Sequence, residues 1–182
     1  MPSPAPESSP PAPAPLPYKI AALCFLFDEQ GRTLLLHRAK PPNLDLYSPI
    51  GGKLEQATGE SPTQCAQREI FEETGIDVDL EDLHLTGIVS EQAFEGKGHW
   101  LMFLYEVTRP VTLAPEREVF DEGRLEWHAS EALPGLAIPE SDRDVIWPMF
   151  WKHRGGFFAA HLDCRSSPIA WSLEQSALQP ER

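Results

Sequence analysis

The stretch that decides the fold spans residues 51–76 and reads GGKLEQATGESPTQCAQREIFEETGI. Within it, Ser61 is a candidate helix N-cap, a proline follows at the first helical position, and Gln64 completes a capping box with the serine. Gly75 supplies a typical helix stop because glycine adopts the left-handed conformation without strain. These signals predict a helix over Pro62–Thr74, entered from a glycine-containing loop.

Three carboxylates share one face of this predicted helix. Glu69, Glu72 and Glu73 stand at positions i, i+3 and i+4, where like charges repel and destabilise an isolated helix. Arg68 is adjacent, but it projects about 100° around the helix from Glu69 and is not expected to neutralise the cluster alone. Glutamate oxygens are ligands of the kind that Mg²⁺ and Mn²⁺ prefer. Taken alone, the same three residues also fit a solvated acidic helix face.

Apolar runs on both sides of the helix predict a mixed α/β (α+β) domain. Two early runs, at 18–27 and 32–38, are separated by turn residues and predict a hairpin. Residues 51–60 are predicted as a loop opened by two glycines. Further strands are expected at 83–94, 100–109 and 124–128, with a second helix at 140–153 and a last strand or helix-packing segment at 156–162. This order predicts a mixed sheet covered by helices on both sides.

Charge and hydropathy exclude several classes of protein. The net charge is −13, from 28 acidic and 15 basic side chains, so bulk nucleic-acid binding through a basic surface is not expected. The longest apolar run is far shorter than the ~20 residues of a membrane-spanning helix, and no secretory signal is visible. The three cysteines are odd in number, far apart and without a CxxC pair, which favours the reducing cytoplasm.

The two ends of the chain differ in composition from its middle. Residues 1–17 are rich in proline and alanine and predict a disordered tail, since proline removes amide donors and little is left to bury. Residues 166–182 are polar and predict a loosely docked C-terminal tail. The expected folded domain therefore covers residues 18–165.

The central stretch resembles the Nudix box. That family's pattern is Gly, five residues, Glu, seven residues, and then Arg-Glu-apolar-x-Glu-Glu-x-Gly-apolar. From Glu60 to Ile76 every specified position matches, whereas seven residues rather than five separate Gly52 from Glu60. An insertion of two residues falls in a loop, where it is most easily tolerated. The resemblance implies a Nudix-like αβα sandwich with a mixed β-sheet.

The resemblance also implies roles for individual residues. It assigns divalent-metal binding, by Mg²⁺ with Mn²⁺ as the alternative, to the carbonyl of Gly51 and the carboxylates of Glu69, Glu72 and Glu73. A further ligand or base is expected from a later acidic loop, where Glu122 is favoured and Glu118 is its rival. Arg68 would orient a glutamate, Glu60 would support the site or bind through water, and Glu69 is the first choice for general base, with Glu122 as alternative.

The family's activity is hydrolysis of a diphosphate linkage in a nucleoside diphosphate derivative. The cations Arg38, Lys40 and Lys53 are expected to meet phosphates, and Asn43 is expected to contact the base. Tyr47 and Trp100 are aromatic candidates for the base, whereas Phe103 fits a core position better. The run before the box is similar to that of MutT-like nucleoside triphosphate hydrolases, which favours a nucleoside triphosphate, oxidised forms included. ADP-ribose, dinucleoside polyphosphates, a non-catalytic nucleotide sensor and a homodimer are left open.

Overall fold

The computed structural model describes residues 16–41, 43–114 and 118–179. Except for its last two residues, the tail expected at 1–17 lies outside this part of the chain. No helix in the described ranges is long and apolar enough to cross a membrane.

Ten strands and two α-helices make up the regular structure of the described chain. The first four strands are β1 (Tyr18–Phe25), β2 (Thr33–Arg38), β3 (Tyr47–Ser48) and β4 (Ile50–Lys53), and helix α1 (Pro62–Thr74) follows them. The next four are β5 (Leu83–Phe94), β6 (Gly98–Val107), β7 (Val119–Phe120) and β8 (Gly123–His128). A π-helical turn (Asp142–Ile146) leads into α2 (Trp147–Lys152), and β9 (Phe157–Asp163) and β10 (Ala170–Ala177) are the last strands of the described ranges.

The strands form two sheets. The larger sheet has the order β10-β9-β5-β6-β1-β4, and the smaller has the order β3-β2-β8-β7. In the larger sheet β1 runs parallel to β6 and β5 runs parallel to β9, while its other neighbours are antiparallel. The expected mixed sheet of a Nudix-like sandwich is therefore confirmed.

Helix α1 covers one face of the larger sheet, and local signals set its limits. The Ser61 side chain accepts a hydrogen bond from the Gln64 N–H, and the Gln64 side chain accepts one from the Ser61 N–H. Gly75 ends the helix in the left-handed conformation. Cys65, Ala66 and Ile70 are fully buried against β1 and β4, and Glu73, three residues after Ile70, is buried as well, whereas Glu72 is exposed.

Helix α2 and the turn before it cover the other face. Phe150 stacks on Phe25 of β1 with ring centroids 3.9 Å apart, and Trp147 meets the same phenylalanine edge to face. Phe158 of β9 is buried in this cluster too. The helix expected at 140–153 is therefore present, although its first part is wound as a π-helical turn.

The predicted hairpin between the first two strands is wrong in one respect. The chain does turn back on itself, because the Leu34 N–H donates to the Leu26 carbonyl. Beyond that turn, however, β1 joins the larger sheet and β2 joins the smaller one. The buried side chains of β2 contribute to the cores on both faces, which explains why its apolar run is continuous rather than alternating.

Two segments predicted to be irregular are strands. Gly51 and Gly52 belong to β4, where they pair with Leu23 and Ala22 of β1. Near the C-terminus, where the sequence predicts a loosely docked tail, β10 pairs with β9 along the edge of the larger sheet. Every residue of β10 is exposed, so backbone hydrogen bonds rather than side-chain burial hold it.

Candidate active site

A cavity of about 480 Å³ lies on the α2 face of the larger sheet. Its floor is made of inward-facing residues on adjacent strands, because Ala21 of β1 pairs with both Lys53 of β4 and Met102 of β6. Trp100 and Glu91, which pair across β6 and β5, continue the floor away from α1. Cross-strand register thus brings residues distant in sequence onto one surface.

The two glycines of β4 allow the carboxylates of α1 to reach this cavity. A Cβ on Gly52 would lie 2.6 Å from Glu69 Oε2, which is closer than real Cβ contacts permit. Gly51 has a φ of 145°, and its N–H donates to Glu73 Oε2 at 3.1 Å. The glycines therefore remove side chains from the sheet edge where Glu69 and Glu73 approach it.

The Arg68 guanidinium joins three carboxylates. It forms a fork with Glu60, at 2.8 Å to Oε1 and 2.9 Å to Oε2, and it also contacts Glu69 Oε1 at 2.7 Å and Glu72 Oε2 at 3.1 Å. Arg68 therefore reaches Glu69 and Glu72 although its Cα–Cβ bond points about 100° around the helix from that of Glu69. A long arginine side chain reaches back over the helix surface regardless of the direction of its Cα–Cβ bond.

Glu73 receives no such contact from Arg68 and is the most buried of the three helix glutamates. Desolvation by burial raises its pKa from the ordinary value of 4.5 to about 8, against the opposing effect of the Gly51 N–H. Burial also raises the pKa of Glu69, an effect that Arg68 partly offsets. Two poorly solvated carboxylates that repel each other at the edge of a cavity favour a bound cation.

The later acidic loop brings Glu122 to the same place. Its negative charge raises the pKa of both Glu69 and Glu73, and its carboxylate lies 3.5 Å from the Arg38 guanidinium. Glu118, the rival candidate, does not line the cavity in the described structure, whereas Glu122 does. Residues 115–117 of this loop lie outside the described ranges.

Most of the residues proposed from the sequence meet at the cavity. Those that line it are Gly51, Glu69, Glu73, Glu122, Arg68, Arg38, Asn43 and Lys53. Glu60, Glu72 and Lys40 are not among the lining residues. Glu60 instead accepts the Arg68 fork and the Glu55 N–H, which fits its supporting role, and Glu72 is turned toward solvent with 57% of its side chain exposed.

The three aromatic residues considered for contact with the base lie in different parts of the structure. Trp100 lines the cavity. Tyr47 instead stacks on His37 and donates from its hydroxyl to Glu126, away from the cavity lining. Phe103 packs against the core beneath α1, as its sequence position suggests.

The carboxylates at the cavity supply only part of the ligand set that a hard divalent cation needs. Within residues 16–41, 43–114 and 118–179, no group of three acidic, histidine or cysteine side chains is close enough to hold a metal. The buried Glu73 and the half-buried Glu69 nevertheless both line the cavity, and Glu122 faces both. Carboxylates with backbone carbonyls are a typical Mg²⁺ donor set, completed in such sites by water and substrate phosphate.

The far end of the cavity contains residues that sequence reasoning missed. Glu91, Ser141 and Asp142 line it, together with Phe94 and Met102. One signal could have identified Glu91: it occupies an inward position of β5, two residues after the buried Val89, where alternation calls for an apolar side chain. Asp142 gives no comparable signal, because it lies in an irregular helical turn.

A comparison with family models identifies this arrangement. The NUDIX domain model matches residues 17–146, which include α1, the glycines of β4 and the later acidic loop. The chain belongs to the Nudix family. The expectation of a Nudix pyrophosphohydrolase is confirmed at the level of the family.

Similar proteins agree with this assignment. An RNA pyrophosphohydrolase from Mesorhizobium japonicum is 25% identical over 147 residues, covering 68% of this chain and 83% of that protein. An oxidized purine nucleoside triphosphate hydrolase from Danio rerio is 29% identical over 119 residues, covering 65% and 70%. The crystal structure of a mutator MutT protein from Bacillus halodurans superposes with a TM-score of 0.66 at 26% identity, covering 86% of this chain and 97% of that one.

Proposed function

We propose that this Nudix enzyme hydrolyses a diphosphate linkage in a nucleoside triphosphate, oxidised purine nucleotides included, with Mg²⁺ as cofactor and Mn²⁺ as a substitute. The observation that carries the proposal is the pair Glu69 and Glu73. Glu73 is buried and Glu69 is half-buried, both have raised pKa values, and both meet a cavity that also contains cations and an aromatic wall.

Four groups would hold the metal: the carboxylates of Glu69, Glu73 and Glu122 and the carbonyl of Gly51. When bound, Mg²⁺ supplies neutralisation of the phosphate oxygens and a lower pKa for a coordinated water. Glu72 contributes from the exposed side, through its contact with Arg68, rather than from the cavity.

Glu69 would accept a proton from the attacking water. Arg68 holds its Oε1, which fixes the carboxylate and leaves Oε2 as the basic atom. As the water oxygen bonds to phosphorus, the bridging P–O bond breaks and the leaving phosphate carries away the electron pair. Glu122 is the alternative base, since it faces the same two glutamates from the opposite loop.

The remaining lining residues would position the nucleotide. Arg38 and Lys53 lie on the same cavity as the glutamates and would bind terminal phosphates. Asn43 and Trp100 would contact the base by hydrogen bonding and stacking. The relative from Danio rerio carries a name that specifies oxidised purine nucleoside triphosphates, and this supports the choice of substrate.

A phosphate-release screen with Mg²⁺ tests the proposal. Its arms are nucleoside triphosphates, oxidised purine triphosphates, ADP-ribose, dinucleoside polyphosphates and 5′-triphosphorylated RNA. We expect the first two classes to be hydrolysed fastest. Preferred hydrolysis of another arm would replace the substrate proposal, and binding of nucleotide without hydrolysis of any arm would favour a sensor.

A further inference from the structure

Glu122 lies in the short turn between β7 and β8, and this turn is attached to the end of β2. The Glu122 carbonyl accepts a hydrogen bond from the Ala39 N–H at 2.8 Å, which fixes the backbone of the turn. The side chain of Glu122 is 49% exposed, however, and a half-exposed glutamate retains much of its rotamer freedom. The direction of its carboxylate therefore depends on a further contact.

Gly123 brings the turn close enough to β2 for that contact. It pairs with Arg38 across the smaller sheet and has a φ of 153°, a conformation that other residues rarely adopt. A Cβ at this position would collide with the His37 carbonyl oxygen. The absence of a side chain lets β8 begin directly beside β2, so the preceding glutamate comes within reach of Arg38.

Arg38 and Glu122 form an ion pair in which the arginine is the better-fixed member. Arg38 Nη2 lies 3.5 Å from Glu122 Oε2, and only 14% of the arginine side chain is exposed. The backbone of Arg38 is held as well, because its N–H donates to the Leu46 carbonyl and its carbonyl accepts from the Asp45 N–H. The half-exposed carboxylate of Glu122 is therefore drawn to a guanidinium whose place is already set.

The same guanidinium acts on the glutamates of α1. Burial is the main cause of the raised pKa of Glu73, but the negative charge of Glu122 raises it further and the positive charge of Arg38 lowers it. Arg38 and Glu122 both line the cavity with Glu69 and Glu73. Repulsion by the two helix glutamates would drive Glu122 away from the cavity, and its attraction to Arg38 opposes this repulsion.

We propose that Arg38 is a positioning residue, which holds the Glu122 carboxylate toward Glu69 and Glu73 and so prepares the divalent-cation site before the metal binds. This inference rests on the proposed function, because it concerns the metal site of the same enzyme. It is compatible with phosphate binding by Arg38, since a guanidinium carries several N–H donors.

The sign of a change in metal affinity separates a positioning cation from a cation that is merely nearby. Removal of a positive charge from the neighbourhood of a cation site strengthens metal binding, because a repulsive interaction is lost. Removal of a residue that orients a metal ligand weakens metal binding, typically by about 10–100-fold. The two roles of Arg38 thus predict opposite results.

Titration of Mn²⁺ into the metal-free protein without nucleotide, with free Mn²⁺ measured by electron paramagnetic resonance, tests the proposal. We expect Arg38→Gln to bind Mn²⁺ about tenfold more weakly than the parent. The double variant Arg38→Gln, Glu122→Gln should bind within about twofold of Glu122→Gln alone, because the two residues act through one contact. Equal or tighter binding by Arg38→Gln, or losses that multiply in the double variant, overturns the proposal.

Arg124→Gln is the matched control on β8. Arg124 follows Gly123, is 65% exposed and lies 3.9 Å from Glu126 rather than beside a cavity carboxylate. This variant should bind Mn²⁺ at least as tightly as the parent. If circular dichroism shows that Arg38→Gln does not fold, Arg38→Met, which keeps an unbranched stem without the charge, takes its place with the same expected loss.

The outcomes are distinguishable from those of the proposed function. Weaker Mn²⁺ binding by Arg38→Gln, in a protein that hydrolyses no triphosphate, supports the positioning role and contradicts the hydrolase. Hydrolysis by the parent together with unchanged Mn²⁺ affinity in Arg38→Gln supports the hydrolase and contradicts the positioning role. A parent protein that binds no Mn²⁺ contradicts both.

Discussion

The carboxylate of Glu69 fills the space beside Gly52 that a side chain at position 52 would need. A Cβ at Gly52 would lie 2.6 Å from Glu69 Oε2, so the glycine and the position of the glutamate carboxylate are fixed together. The consequence is that a residue in a β-strand controls the geometry of a residue on a helix 17 positions later in the chain.

Gly52→Ala is therefore expected to displace Glu69 and lower turnover by at least about tenfold, because small displacements of catalytic groups are costly. Its far-UV circular dichroism should remain that of the parent. Gly135→Ala is the matched control, since a Cβ there meets nothing within 4 Å. Parent turnover in Gly52→Ala would show that Glu69 does not need its observed position.

Glu69→Gln is expected to lower the single-turnover rate at saturating Mg²⁺ by about 10²–10⁴-fold, the contribution typical of general acid–base catalysis. Glu122→Gln should lower it less, if Glu122 only helps to bind metal. Glu118→Gln, outside the cavity, serves as the control and should match the parent. If Glu122→Gln abolishes the rate while Glu69→Gln retains it, Glu122 is the base.

The raised pKa of Glu73 predicts that the stability of the metal-free protein depends on pH. Its folded-state pKa is about 8, above the ordinary 4.5, so the folded state binds the proton more tightly than the unfolded state. The free energy of unfolding should therefore fall as pH rises from about 4.5 to about 8, and burial of Asp142 adds to the same trend. Glu73→Gln should reduce this pH-dependent decrease in the free energy of unfolding by on the order of a few kcal/mol.

Thermal unfolding in EDTA at a series of pH values from 5 to 8.5, at fixed ionic strength, measures this difference. Added Mg²⁺ should raise the Tm of the parent more at the alkaline end, where the glutamates are ionised, than at the acidic end. An identical pH profile for the parent and Glu73→Gln would contradict the buried, proton-binding state of Glu73.

Arg68→Lys is expected to lower both Tm and turnover, because an ammonium cannot form the fork with Glu60 while also holding Glu69 and Glu72. Arg109→Lys replaces the guanidinium of an exposed ion pair with Asp82 by an ammonium and is the control for the substitution itself. Turnover and Tm equal to those of the parent would mean that the guanidinium geometry is dispensable.

The sequence predicted helix α1 to the residue, because all of its limits are local: a serine cap, a proline and a terminal glycine. It failed where long-range pairing decides structure. Gly51 and Gly52 are weak strand formers by propensity, yet their pairing with β1 makes them a strand. The proximity of Glu91 to Asp142 could not be predicted from the sequence for the same reason, since it depends on how β5 and the π-helical turn meet in space.

Arg68 shows a different limit of sequence reasoning. Helical geometry places its Cβ correctly, but the reach of a long side chain depends on which carboxylates surround it. Glu60 lies before the helix in a loop, and only the folded loop brings it within 2.8 Å of the guanidinium.

The two layers that flank the larger sheet contribute different residues to one cavity. The glutamates come from the layer above one face and pass the edge strand at its glycines, whereas the far acids and the aromatic wall belong to the opposite layer. Substitutions in the second layer can therefore reshape the far end of the cavity and leave the carboxylates of α1 in place. Such modularity offers a physical route by which one hydrolytic apparatus diversifies across many nucleotides.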